Sequence, residues 1–126
     1  MKKAFHRSYN HDERSKFVRK CHKDNPNHIP VFVYPAQAFE RDIRLKSNKY
    51  VVNKNMTVGR FVYYIRTNCS ETDPTKGLLF FTDKGEIPNL SYTMEELYNR
   101  YVDHDGFLYI QVAQESVFGH IHLPIS

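Results

Sequence analysis

Cys21 beside His22 is the first combination in this chain that could do chemistry, because a cysteine thiolate with an imidazole base makes a nucleophile. The spacing argues against it. Neighbouring residues of a helix point about 100° apart, so the two side chains do not face each other. Cys21 lies four positions after Phe17 and fits an apolar helix face better. Cys69 has no histidine near it in sequence, and the two cysteines make neither a disulfide framework nor a zinc knuckle. His120-x-His122 offers metal-ligand types. No phosphate loop or Walker motif is present, and the chain is not expected to be an enzyme.

Attraction of anions is the other chemistry that these residues could do. The 126 residues carry 18 Lys+Arg and 14 Asp+Glu, a formal charge of +4. Residues 1–28 hold eight basic groups against three acids, whereas residues 29–126 hold 10 against 11. The whole positive excess is therefore N-terminal. His6, His11, His22 and His28 add to it as pH falls. A solvated helical face, an acidic protein surface and an anionic membrane all fit that patch. Nucleic acid fits least, because the rest of the chain is neutral and no nucleic-acid motif accompanies the patch.

These residues need elements to hold them. Asn10 to Lys23 is expected to be a helix, with Asn10 as N-cap and Glu13 completing a capping box. Phe17, Val18 and Cys21 form its narrow apolar stripe, and Asn25-Pro26 stops it. Ile29 to Tyr34 is β-branched and aromatic, hence a strand, with Pro30 placed where no ladder donor is needed. Residues 35–48 form a polar turn region, and Lys49 to Val52 a second strand. Thr57 caps a helix with Val58, Phe61, Val62 and Ile65 on one face. Asp73-Pro74 marks a loop, Leu78 to Thr82 a strand and Asp83-Lys84-Gly85 a turn. Thr93 to Glu96 is a capping box for a last helix, and Asp105-Gly106 turns into a final strand, Phe107 to Val112.

The expected class is α+β: a β-grasp, with one four-stranded mixed sheet covered by a helix and extra N-terminal helices on the other face. The length suits one domain, and 40% hydrophobic residues argue against wholesale disorder. The apolar runs are too short to span a bilayer, and the start of the chain lacks the apolar core of a secretory signal. A soluble, intracellular, single-domain protein is the expectation.

Four blocks, with the ending Glu115-Ser116-Val117-Phe118-Gly119, resemble the autophagy ubiquitin-like modifiers, the family of the microtubule-associated-protein light chains and GABA-receptor-associated proteins. The blocks are Ile29 to Val33, Lys49 to Val52, Met56 to Arg66, and Asp103 to Ile110, in order and in spacing between about Phe5 and Gly119. The resemblance implies a ubiquitin-like fold with two added N-terminal helices. It divides the chain into a basic helical extension at 1–28, a ubiquitin-like domain at 29–113, a flexible tether at 114–119 and a removable propeptide at 120–126. Asp103-His104-Asp105 then matches the acidic turn before the last strand rather than a metal site, and the two tail histidines are incidental.

The resemblance also implies a chemistry. A cysteine protease cuts between Gly119 and His120, with Phe118 anchoring the segment. Activating and carrier enzymes hold the glycine as a thioester, and its carboxyl forms an amide with phosphatidylethanolamine on autophagosomal membranes. Glycine lacks Cβ and enters narrow channels in extended or positive-φ geometry. The free form is expected in the cytoplasm and the lipidated form on autophagosome and vesicle membranes. Cargo receptors and autophagy factors would dock on the second strand, which takes an aromatic-x-x-aliphatic motif as an added strand. Matching the aromatic pocket are Phe17, Cys21, Pro30, Phe32, Lys49, Val51 and Phe107; matching the aliphatic pocket are Tyr50, Val52, Met56, Phe61, Tyr64 and Ile65. Tubulin or microtubules are a further candidate partner. The chain departs from the family at Phe17 (usually an acid), Cys21 (Ile or Leu), Asn53 (proline), and Ser47 and Asn68 (basic), which points to a groove that prefers less acidic ligands or binds weakly. The rival reading is an unconjugated adaptor of the same fold for cytoskeletal or vesicle-trafficking proteins.

Overall fold

A computed structural model describes residues 2–71 and 77–115. Two helices lead: α1 at Lys2–Ser8 and α2 at His11–Asp24. Strand β1 is His28–Pro35, followed by a 3-10 turn at Gln37–Phe39, β2 at Ile43–Leu45 and β3 at Lys49–Asn53. Helix α3 is Val58–Thr67, β4 Cys69–Glu71, β5 Leu78–Thr82, α4 Met94–Tyr101 and β6 Leu108–Gln114. The capping chemistry is as the residues suggest. Asn10 Oδ1 accepts from Glu13 N–H at 2.9 Å, while the Glu13 carboxylate accepts from Asn10 N–H at 3.0 Å. Thr93 and Glu96 repeat that reciprocal box at α4, and Thr57 caps α3.

The main sheet runs β3-β1-β6-β5. β1 pairs parallel with β6 and antiparallel with β3, and β5 pairs antiparallel with β6. Alternation along β1 divides two cores. Ile29, Val31 and Val33 join Val58, Phe61, Val62 and Ile65 of α3 and Met94 and Leu97 of α4. Phe32 and Tyr34 turn the other way and join Phe5, Val18, Phe107 and Tyr109 under the N-terminal helices. A strand covered on both faces has no polar side to show, and so Ile-Pro-Val-Phe-Val is apolar throughout.

The ladder explains Pro30. Val33 N–H donates to Asn48 C=O at 2.8 Å and Lys54 N–H to Asn27 C=O at 2.9 Å. Between those two bonds, alternation gives the hydrogen-bonded pairs to Ile29–Val52 and Val31–Tyr50. Pro30 faces Val51 in a pair that needs no donor, and β6 begins its pairing one residue later, at Val31.

Three expectations are corrected. Residues 35–48 are not turns alone: Ile43–Leu45 pairs with Cys69–Glu71 as a separate two-stranded sheet. The last strand continues to Gln114, which faces Leu78 and is buried, so the flexible tether does not begin at 114. His28 already belongs to β1 rather than to the helical extension. The Asp73-Pro74 loop, Phe118, Gly119, His120 and the remaining tail lie outside the described residues.

Candidate functional site

β3 is an edge. Among the described residues its one strand neighbour is β1. Because Tyr50 and Val52 spend their backbone groups on β1, those of Lys49 and Val51 turn to the open side. An extended chain laid there would find two N–H and two C=O groups waiting.

One flank of this edge, toward α1 and α2, is a cavity of about 470 Å³ lined by Phe5, Tyr9, Phe17, Lys49 and Phe107, with Arg14 and Lys20 among its polar walls. Its rings form an arc. Tyr9 meets Phe5 at 5.7 Å between centroids, Phe5 meets Phe107 edge-on at 5.5 Å, and Phe107 stacks under Phe17 at 5.5 Å and 11°. The ammonium of Lys49 sits between the arc's two ends, 5.2 Å from the Tyr9 ring and 5.3 Å from Phe17. Three of the seven residues expected for the aromatic pocket, Phe17, Lys49 and Phe107, line this cavity. Phe32 lies behind it, stacked on Phe5 at 4.3 Å. Pro30 and Val51 face each other across β1 and β3, Val51 exposed and Pro30 buried. Cys21 is buried, and burial, with Asp24 nearby, pushes its thiol up, the opposite of what a nucleophile needs. His22 turns away to the Tyr98 hydroxyl at 3.3 Å.

The residues themselves did not single out Phe5, Tyr9, Arg14, Lys16 and Lys20 for this pocket. Phe5 and Tyr9 stand four apart, a helix-face spacing that was there to be found. Arg14 carries no such signal. Its partner is Asp105, 91 positions away, with Nε donating to Oδ2 at 2.8 Å.

The other flank is made differently. Val52, Phe61 and Ile65 belong to the main core, and Tyr50 and Met56 pack against it half-buried. Tyr50 meets Phe61 edge-on at 5.8 Å and Tyr64 edge-on at 6.1 Å. All six residues expected for the aliphatic pocket therefore lie in or against one patch at the α3–β3 seam. Asn53 Oδ1 accepts from Asn55 N–H at 2.8 Å, so the residue after the strand turns the chain as an Asx turn in place of a proline. Asn68 caps the end of α3, donating to Tyr64 C=O at 2.9 Å.

The chain matches the family described as "Autophagy protein Atg8 ubiquitin like" over residues 13–119. The chain belongs to the Atg8 family. It is 31% identical over 122 residues to Autophagy-related protein 8 of Mycosarcoma maydis, a match covering 96% of this chain and all of that relative. To Autophagy-related protein 8h of Arabidopsis thaliana it is 32% identical over 118 residues, covering 93% and 96%. Its fold is similar to that of Trypanosoma brucei ATG8, with a TM-score of 0.74 at 25% identity, covering 91% of this chain and 97% of that one. Plasmodium falciparum Atg8, solved in complex with a Plasmodium falciparum Atg3 peptide, gives a TM-score of 0.77 at 23% identity, covering 89% and 96%. This Atg8-family chain is an autophagy ubiquitin-like modifier and not an enzyme. Its fold is the expected ubiquitin-like α+β one, with a mixed four-stranded sheet and helices.

Proposed function

We propose that this Atg8-family chain is cleaved after Gly119, joined through that glycine to phosphatidylethanolamine on autophagosomal membranes, and used there to recruit cargo receptors and autophagy factors. The observation that carries the recruiting role is the open edge of β3 between an aromatic-lined cavity and an apolar patch of different make. A partner strand of the aromatic-x-x-aliphatic kind would pair with the backbone of Lys49 and Val51. Its aromatic side chain would enter the ring arc and its aliphatic side chain would settle on Tyr50, Met56 and Tyr64. The Atg3 peptide bound to the Plasmodium relative supports short conjugation-enzyme segments as one class of occupant.

Charge selects the approach. Lys16, Lys20 and Lys49 surround the cavity against one acid of its lining, Glu13, which also serves the α2 capping box. With Phe17 in place of a second acid, that rim stays net basic. On this side the rim favours acidic residues next to the motif's aromatic, contrary to the less acidic preference expected from the departures.

The conjugation role rests on the family and on Gly119, the last residue of the matched segment. Wild type and Gly119→Ala expressed in the native cell test it. A faster-migrating, membrane-bound form in wild type alone is the expected result. Its absence from both would favour an unconjugated adaptor acting through the groove.

A further inference from the structure

We propose that the buried ion pair of Arg14 and Asp105 is the positioning device of the aromatic pocket, a role that rests on the groove reading above. Asp105 has no exposed side-chain surface and Arg14 has 8%. One oxygen of Asp105 accepts from the Phe107 N–H at 2.9 Å. The other accepts from Arg14 Nε at 2.8 Å and from the Tyr109 hydroxyl. Arg14 Nη1 donates onward to the Tyr9 carbonyl at 2.6 Å. The pair thus grips the backbone at the middle of the ring arc, Phe107, and at one of its ends, Tyr9. The other end, Phe17, sits on α2 itself, one turn after Arg14.

Apolar packing already attaches the two N-terminal helices, through Phe5 on Phe32 and Val18 in the same core. A desolvated ion pair is a poor way to add stability, because burying the charges cancels much of their attraction. Directional control is what it supplies. A guanidinium donates from a rigid fork in two directions, here to Asp105 and to Tyr9, and an ammonium on a flexible stem cannot hold both with the same geometry. The surroundings leave little slack. Gly106 has φ +92°, and a Cβ there would lie 2.6 Å from Val18 Cγ1, so the turn carrying Asp105 is pressed against α2.

The test is a double-mutant cycle between protein and ligand. Full-length wild type, Arg14→Lys and Asp105→Asn are each titrated with two fluorescent peptides. One carries tryptophan-x-x-leucine after acidic residues, and the other has that tryptophan replaced by alanine. Circular dichroism and thermal melting check the fold of each variant. The expected result is that Arg14→Lys weakens the tryptophan peptide about tenfold and the alanine peptide less than about twofold. Asp105→Asn is expected to follow the same pattern; if it does not fold, Arg14→Lys carries the test alone. Equal weakening of both peptides, or no weakening of either by folded variants, overturns the proposal. Wild type that binds neither peptide overturns the groove reading, and the positioning role with it.

Discussion

The two flanks of β3 hold side chains in place by different means. The α3–β3 flank is the outer surface of the main core: Val52, Phe61 and Ile65 are buried with the residues that make the domain fold, Tyr50 and Met56 pack against that core, and Tyr64 meets Tyr50. The flank under α1 and α2 has no such backing at its mouth. Phe17 is 38% exposed, Tyr9 45%, and their arrangement depends on ring stacking, on Lys49 between the arc's ends and on a buried ion pair. Shape on the first flank is therefore inseparable from stability, whereas shape on the second can change while the fold persists.

The largest contrast comes from two aromatic truncations. Phe61→Ala opens a cavity in the main core and is expected to cost about 3–5 kcal/mol in chemical denaturation. Phe17→Ala is expected to cost about 1 kcal/mol, the order of one exposed stacked pair, while weakening an aromatic-x-x-aliphatic peptide severalfold. Equal losses of stability would erase the distinction between the flanks.

Gly106→Ala probes the contact between α2 and the turn before β6. Its left-handed backbone alone costs an L-residue about 1–3 kcal/mol, and the contact with Val18 adds to that. The loss is expected to centre on the N-terminal helices, read as faster amide exchange in α2 than in α3. Uniform loss of protection across both would show that the helices are not a separable layer.

A Lys49→Ala, Tyr50→Ala pair touches one residue on each flank. It is expected to abolish measurable peptide binding with a stability change near that of Tyr50→Ala alone, because Lys49 is exposed. An unchanged titration curve would refute the shared groove.

Mild acid is expected to have the smallest effect in its first stage. Burial, and then the charges of Arg14 and Lys2, hold the His6 imidazole below its ordinary 6.5. The unfolded chain takes up that proton first, so stability present above pH 6.5 declines as pH falls through the folded value. Burial alone would raise Asp105, but hydrogen bonds from Tyr109, Phe107 and Arg14 outweigh it and hold the carboxyl below its usual 3.8. Its contribution is present above that value and is lost at lower pH. Urea midpoints across pH 8 to 3 should decline in those two stages. His6→Gln should remove the first stage, and a first stage that survives would place its origin elsewhere.

How much of this was legible in the sequence follows the same division. Helices α2, α3 and α4 declare themselves through Asn10, Thr57 and Thr93 and through 3.6-residue periodicity, because caps and amphipathic faces are local. β1, β3, β5 and β6 declare themselves by composition. The three-residue strands Ile43–Leu45 and Cys69–Glu71 are too short to show a period, and only their pairing with each other makes them strands. The aliphatic flank was legible because core and site coincide there. The aromatic flank was legible in part, through Phe17, Lys49 and Phe107. Phe5 and Tyr9 required knowing where α1 lies, and the Arg14–Asp105 contact joins positions 91 apart that no local pattern connects.

Hydrogen exchange along β3 tests the central claim most directly. In the free protein the amides of Tyr50 and Val52, bonded to β1, should exchange slowly, and those of Lys49 and Val51 should exchange fast. Addition of a saturating aromatic-x-x-aliphatic peptide should slow the Val51 amide sharply and leave Tyr50 and Val52 as they were. A Val51 amide that exchanges as fast with bound peptide as without it would contradict strand addition at this edge.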